Sequence, residues 1–165
     1  MRPVRAAQFT AARTARPVAD ESLMRAALAV ARRGLLAGEA PVGACIVQAG
    51  RVIASAHTAV AGGPDASAHA EILAIRAACR SLRSARLDEC ALYVSVEPCA
   101  MCLAACHYAG INEVFFGASL QDMQALTDRE LAAPRPASIA LHGGVLADES
   151  LALLAEWAAQ RQGRA

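Results

Sequence analysis

Four residues in two short stretches have the types and the spacing for metal-assisted hydrolysis. His69 and Glu71 open the alanine-rich run AHAEILAIRAAC (68–79), and Cys99 and Cys102 lie in EPCAMC (97–102), directly after a proline. Two thiols at CxxC spacing at a helix start can converge on one ion, and both the helix N-terminus and the ion favour their thiolate form. An imidazole from His69 brings the protein donors to three. Three protein ligands leave the fourth tetrahedral position for water, as in catalytic zinc sites, and the mixture of nitrogen and sulfur favours zinc over magnesium or calcium. Glu71 is two positions from His69, so it does not simply repeat the ligand. A carboxylate beside such a water can take its proton and return protons to a ring nitrogen and a leaving amine. Singly, each residue has an ordinary explanation: a structural histidine, a redox or chance CxxC, a glutamate complementing a helix dipole. Together, His-Ala-Glu and Pro-Cys-Ala-Met-Cys, separated by one expected helix and one expected strand, point to a single site.

Periodicity and turn chemistry supply the elements that must hold these residues. Asp20 is expected to cap a helix running to about Leu36, with Leu23, Ala27, Leu28, Ala31 and Leu35 on one face and Gly38 ending it. VGACIVQ (42–48) and RVIASAH (51–57) read as strands joined by a turn at Ala49 and Gly50. Ser67 is expected to cap a helix from about Ala68 to Leu82. ALYVSV (91–96) reads as a strand buried on both faces, and Pro98 suits the first turn of a helix ending near Ala109. NEVFFGA (112–118) gives a fourth strand and residues 120–126 a short helix. A loop with Pro134 and Pro136 precedes SIALHG (138–143), a short strand, and DESLALLAEWAAQR (148–161) closes as a helix capped by Asp148. A hairpin followed by strand–helix–strand units implies a mixed sheet with helices on both faces. In such sheets, sites gather at strand-to-helix junctions.

Composition bounds the possibilities. The chain has 165 residues, 56% of them hydrophobic, enough for one compact domain over 20–165. Its formal net charge of +1 gives no global attraction to polyanions. No apolar run approaches the roughly 20 residues of a membrane span. Residues 1–19 carry four arginines and no acid. We read them as a disordered tail, an organelle transit segment being the other reading. Six cysteines without a secretion signal argue for reduced thiols or metal, not disulfides, and for a cytoplasmic protein.

H-x-E followed by P-C-x-x-C is the signature of zinc nucleobase deaminases. EAPVGACIV (39–47), DASAHAEILAIRAAC (65–79), LYVSVEPCAMC (92–102) and EVFFGAS (113–119) resemble the cytidine/deoxycytidylate deaminase superfamily, in its branch of guanine deaminases and tRNA adenosine deaminases. The resemblance runs from about Leu23 to Trp157. It implies an α/β fold, a three-layer αβα sandwich with a five-stranded mixed sheet, and one zinc per subunit in a homodimer or larger oligomer. It also implies His69, Cys99 and Cys102 as ligands and Glu71 as the proton shuttle. Cys45, Cys79, Cys90 and Cys106 match no ligand position and read as small buried residues.

The expected substrate contacts are Thr58, Ala70, Glu130 and Tyr108. Thr58 stands where this branch commonly has an asparagine that bonds the base, and a hydroxyl reads fewer atoms than an amide. Glu130, in TDRE (127–130), falls where guanine deaminases carry a second acid, with a solvated charge pair as its plain alternative. Tyr108 has the chemistry to stack on a base or to pack in the core. The stretch 112–130 holds one base, Arg129, against four acids, a poor surface for an RNA backbone. The expectation is a zinc-dependent hydrolase acting on a cyclic amidine in purine metabolism: guanine first, or a related free aminated purine, pyrimidine or triazine. Adenosine-to-inosine editing of tRNA is the alternative, and a non-catalytic zinc-binding subunit the second.

Overall fold

A computed structural model describes residues 19–63, 65–127 and 139–162 of the chain. The Arg-rich stretch before Ala19, the loop of Pro134 and Pro136, and Glu130 lie outside these residues. Ten elements follow in order: α1 (Glu21–Leu36), β1 (Gly43–Gln48), β2 (Arg51–His57), α2 (Ala70–Leu82), β3 (Cys90–Val96), α3 (Ala100–Ala109), β4 (Glu113–Ala118), α4 (Leu120–Thr127), β5 (Ala140–His142) and α5 (Ala147–Gln162). The sheet runs β2-β1-β3-β4-β5. β1 is antiparallel to both β2 and β3, and β3, β4 and β5 are mutually parallel neighbours. This is the expected five-stranded mixed sheet.

Alternation along the strands divides the core into two layers. Ala44 and Ile46 of β1, with Leu92 and Val94 of β3, face α2 and α3 through Ala74, Ala78, Leu103 and Cys106. Cys45, Val47 and Tyr93 point the other way, onto Met24, Ala27, Leu28 and Ala31 of α1 and Leu153 and Trp157 of α5. The small side chains let helix and sheet approach closely. At Gly43 the approach is at its limit: an added Cβ would lie 2.9 Å from the Ala31 Cα. The hairpin turn holds Ala49 and Gly50 at φ values of 48° and 74°, the left-handed pair that matches strand twist.

Several expected caps shift. Asp20 does cap α1, accepting from the Ser22 amide at 2.8 Å. The burial stripe of α1 is centred on Met24 and Ala27, however, with Leu23 at its edge. Ser67 does not cap α2. Asp65 takes both its amide and its hydroxyl, at 2.8 and 2.6 Å, so the helix starts later, with His69 at the cap position. Pro98 stands outside α3, because Cys99 is the cap residue. Asp148 falls inside the first turn of α5 and does not cap it. Among the described residues, no helix is long and apolar enough to cross a membrane.

Candidate active site

The two cap corrections explain how the site assembles. His69 and Cys99 both have extended backbone at helix starts, and neither side chain caps its own helix. Both are therefore free to turn across the gap between α2 and α3. Cys102 follows Cys99 by three residues, the offset at which a cap residue and the first turn meet. The Cys99 and Cys102 sulfurs are 3.7 Å apart, and His69 Nδ1 lies 3.6 Å from the first and 3.5 Å from the second. Tetrahedral zinc, with bonds of about 2.3 Å to sulfur and about 2.0 Å to nitrogen, spaces two sulfurs about 3.8 Å and a sulfur–nitrogen pair about 3.5 Å apart. All three edges agree with that figure, and no other metal-binding cluster occurs among the described residues.

The donor set is electrostatically prepared for a cation. Hydrogen bonds from Cys102 and His69 hold the Cys99 thiol down to about 4, against its burial. The bond to Cys99 and burial push Cys102 well up, so the two sulfurs share one proton unless a cation lies between them. The bond to Cys99 raises His69, against its burial. The cysteines away from the cluster differ in kind. Burial pushes Cys45 up to about 11 and Cys106 up to about 12, the behaviour of inert core thiols. Cys79 is half-buried, not fully enclosed, and all six cysteines are free.

Glu71 occupies the second position of α2. It is 3% exposed, and its Oε2 has no hydrogen-bond partner. Burial raises its carboxyl above the usual carboxylate range. An unpaired buried carboxylate oxygen costs stability, so its survival points to a use outside packing.

A cavity of about 650 Å³ opens over these residues. His69, Ala70, Glu71 and Cys99 form its floor, and Thr58, Val60 and Ala61 one wall. Thr58 and Ala70 thus line this cavity. Thr58 donates its hydroxyl to the Ala68 carbonyl at 3.1 Å, which leaves only its lone pairs for a ligand. Tyr108 is 80% exposed, lines neither this cavity nor the core of the described residues, and its ring meets His107 edge-on. It lies on α3 with its side chain turned away from the buried face of Cys102 and Cys106.

Three polar or aromatic cavity residues escaped the reading of the sequence. Glu39 and Glu97 are buried carboxylates, and Trp157 comes from α5 at the far end of the chain. Glu97 accepts from the Leu120 amide at 2.9 Å, holding the start of α4, whose Leu120 and Met123 line the same wall. Glu39 and Glu97 lie inside the motifs EAPVGACIV and EPCAMC; an acid adjoining an apolar strand was the available signal.

Comparison with known proteins agrees with this geometry. The family model described as the cytidine and deoxycytidylate deaminase zinc-binding region matches residues 17–118. A tRNA-specific adenosine deaminase of Aquifex aeolicus is 46% identical over 59% of this chain. A guanine deaminase of Bacillus subtilis is 43% identical over 62% of it. The matched stretch spans 65% and 66% of those relatives' own lengths. Among solved structures, guanine deaminase from Nitrosomonas europaea superposes with a TM-score of 0.78 at 30% identity, covering 87% of this chain and 86% of that one. A tRNA:A34 deaminase superposes at 0.68 with 32% identity, covering 81% and 99%. With most of its length matched and the three donors converging as zinc requires, the chain belongs to the cytidine and deoxycytidylate deaminase zinc-binding family.

Proposed function

We propose that this protein is a hydrolytic deaminase of free aminated heterocycles, with guanine the first substrate to test. The observation that carries the choice of substrate is the lining of the cavity. Among the described residues it presents the Glu71 carboxylate, with its unpartnered oxygen, and the His69 imidazole, with no lysine or arginine, while Glu39 and Glu97 are held by backbone amides. Such a lining accepts an N–H-rich, uncharged ring and offers nothing to phosphates. Two likenesses support the reading. The superposition is better on the Nitrosomonas europaea guanine deaminase (TM-score 0.78) than on the tRNA:A34 deaminase (0.68), with the Bacillus subtilis guanine deaminase at 0.62, and a solved structure at 0.78 holds 2,6-diaminopurine, an aminated purine.

When bound by His69 Nδ1 and the two sulfurs, zinc supplies Lewis acidity, lowering the pKa of water and stabilising negative charge that develops on oxygen. The protein's own residues do the rest. Glu71 Oε2, held out of bulk water, removes a proton from the attacking water as its oxygen bonds to the amine-bearing carbon. It then passes that proton to the adjacent ring nitrogen, as the carbon–nitrogen double bond opens. A second proton, from the newly added hydroxyl, moves through Glu71 to the amine. The carbon–nitrogen bond breaks, ammonia leaves and a carbonyl remains. A carboxyl raised by burial suits this double duty, because it must both accept and return protons near neutral pH. Ala70, the first residue of α2, has an amide for which its helix provides no acceptor, so that N–H is available to a polar edge of the ring.

The tRNA alternative draws its support from the 46% identical relative. Glu71 argues against a non-catalytic subunit, since a structural metal has no use for a buried carboxylate with an oxygen left unpartnered beside it. The test measures ammonia release from a panel of free bases against inosine formation in tRNA. We expect ammonia from guanine or a related base. Inosine in tRNA without ammonia from any base would replace this reading, and neither product would favour the scaffold.

A further inference from the structure

We infer that Glu39, which neither ligates metal nor carries protons, is the positioning residue that sets the substrate wall of the cavity. The inference rests on the deaminase reading above for its kinetic consequence, but not for its structural one.

Glu39 lies between the end of α1 and the start of β1 and is 5% exposed. Its amide bonds to the Gly34 carbonyl at 3.0 Å, which fixes its backbone to the last turn of α1. Its carboxylate reaches across to the loop between β2 and α2. Oε2 accepts from the Ala61 amide at 2.9 Å and Oε1 from the Gly62 amide at 2.7 Å. Two successive backbone N–H groups aimed at one carboxylate make a small anion nest, and both bonds are charge-assisted. Gly62 fits this contact: a Cβ there would come within 3.2 Å of Glu39 Oε1.

The strapped loop is also the wall. Thr58, Val60 and Ala61 face the cavity. Other anchors of the loop are the Thr58 amide on the Val42 carbonyl at 3.0 Å, and the Ala59 amide and the Thr58 hydroxyl on the Ala68 carbonyl at 2.9 and 3.1 Å. Ala68 immediately precedes the ligand His69. The loop therefore joins β1 to the first turn of α2, and Glu39 provides its side-chain tie to α1. Because both carboxylate oxygens are occupied by backbone amides, Glu39 acts on the substrate through the wall and is not a catalytic residue.

Glu39→Gln keeps the shape but presents an NH₂ to one of the two amides. Glu39→Asp keeps the charge but is one methylene too short to reach both. Gly62→Ala crowds the same contact from the loop side with the carboxylate intact. In all three we expect faster amide hydrogen exchange in the peptide spanning 58–67, by about tenfold or more, with the α2 peptide unchanged. Zinc content should stay at one per chain. For whichever base the wild type turns over, KM should rise about tenfold with kcat within about threefold. Unchanged exchange in 58–67 would overturn the inference. So would a fall in kcat at constant KM, the mark of a proton-transfer group, or zinc loss with faster exchange throughout. If the wild type deaminates no base, the functional reading fails while the exchange result still decides the strap.

Discussion

The floor and the walls of the cavity are built on different terms. The floor, with the metal donors that form it or lie behind it, is local: His69, Glu71, Cys99 and Cys102 all come from the starts of two helices that pack on one face of the sheet. The walls draw on the α1–β1 connection, the β2–α2 loop, α4 and α5. Glu71 and Glu39 condense the difference. Their exposures are nearly equal, 3% and 5%. Glu71 has an oxygen without a partner, whereas both oxygens of Glu39 accept from backbone amides. Burial alone does not say what a carboxylate is for. Its partners do: a satisfied one holds structure, and an unsatisfied one facing a cavity is available for chemistry.

The largest effect that can break this contrast comes from removing a donor in the floor. Cys102→Ala deletes one of three ligands, so stoichiometric zinc should disappear and turnover with it. The loss of metal affinity should exceed the roughly 10–100-fold typical of changes to outer-shell partners. Chelation of the wild type should abolish activity in the same way, with recovery on adding zinc. Elemental analysis and an activity assay check both. Full activity in a zinc-free sample would end the case for a metal floor.

Next comes Glu71→Gln. Loss of a general acid–base group costs about 10²–10⁴-fold in kcat. Zinc should remain at one per chain, because Glu71 is no ligand. Thermal stability should hold or rise, since the change removes a buried charge with an unpaired oxygen. Loss of zinc together with activity would mean that Glu71 supports the ligands instead.

The contrast also accounts for what the sequence made legible. The floor could be read directly, because helix starts bring residues two or three apart together whatever the rest of the chain does. The strands could be read as well: ALYVSV and VGACIVQ are apolar on both faces because helices cover both sides of the sheet. The walls could not be read. Nothing local pairs Glu39 with Ala61 and Gly62, or brings Trp157 to the cavity holding His69; only sheet order and helix packing do so. The placement of Tyr108 could not be read for a related reason. Periodicity places it on the helix of the cysteines, but α3 is apolar nearly all round, so hydrophobicity does not reveal which face is buried. Ser67 misled because Asp65, two residues earlier, captures it first.

A packing change separates walls from floor without touching a polar group. Gly43 starts β1 against the backbone of α1, and an added methyl would collide with the Ala31 amide nitrogen and the Ala27 carbonyl oxygen and lie 2.9 Å from the Ala31 Cα. Gly43→Ala must push the helix outward, and overpacking of this kind costs about 1–3 kcal/mol. The melting temperature should fall. Because Glu39 hangs from the end of α1, KM should rise as well, while zinc content stays intact. Calorimetry with parallel kinetics checks this. Loss of zinc before any change in KM would show that floor and walls are not separable.

The smallest expected effect lies at Thr58, where wall meets floor. Its hydroxyl donates to the Ala68 carbonyl, which also accepts from the Ala59 amide, so that carbonyl keeps a partner if the hydroxyl is lost. Thr58→Asn places an amide donor and acceptor at the cavity edge, where the threonine offers only lone pairs. One added hydrogen bond to the base is worth about 1 kcal/mol, so KM for a guanine-like substrate should fall by up to about tenfold, with kcat and zinc unchanged. A rise in KM would carry the opposite meaning. The bond from Thr58 to Ala68 would then matter more than any contact with substrate, and Thr58 would join Glu39 as part of the strap that shapes the wall.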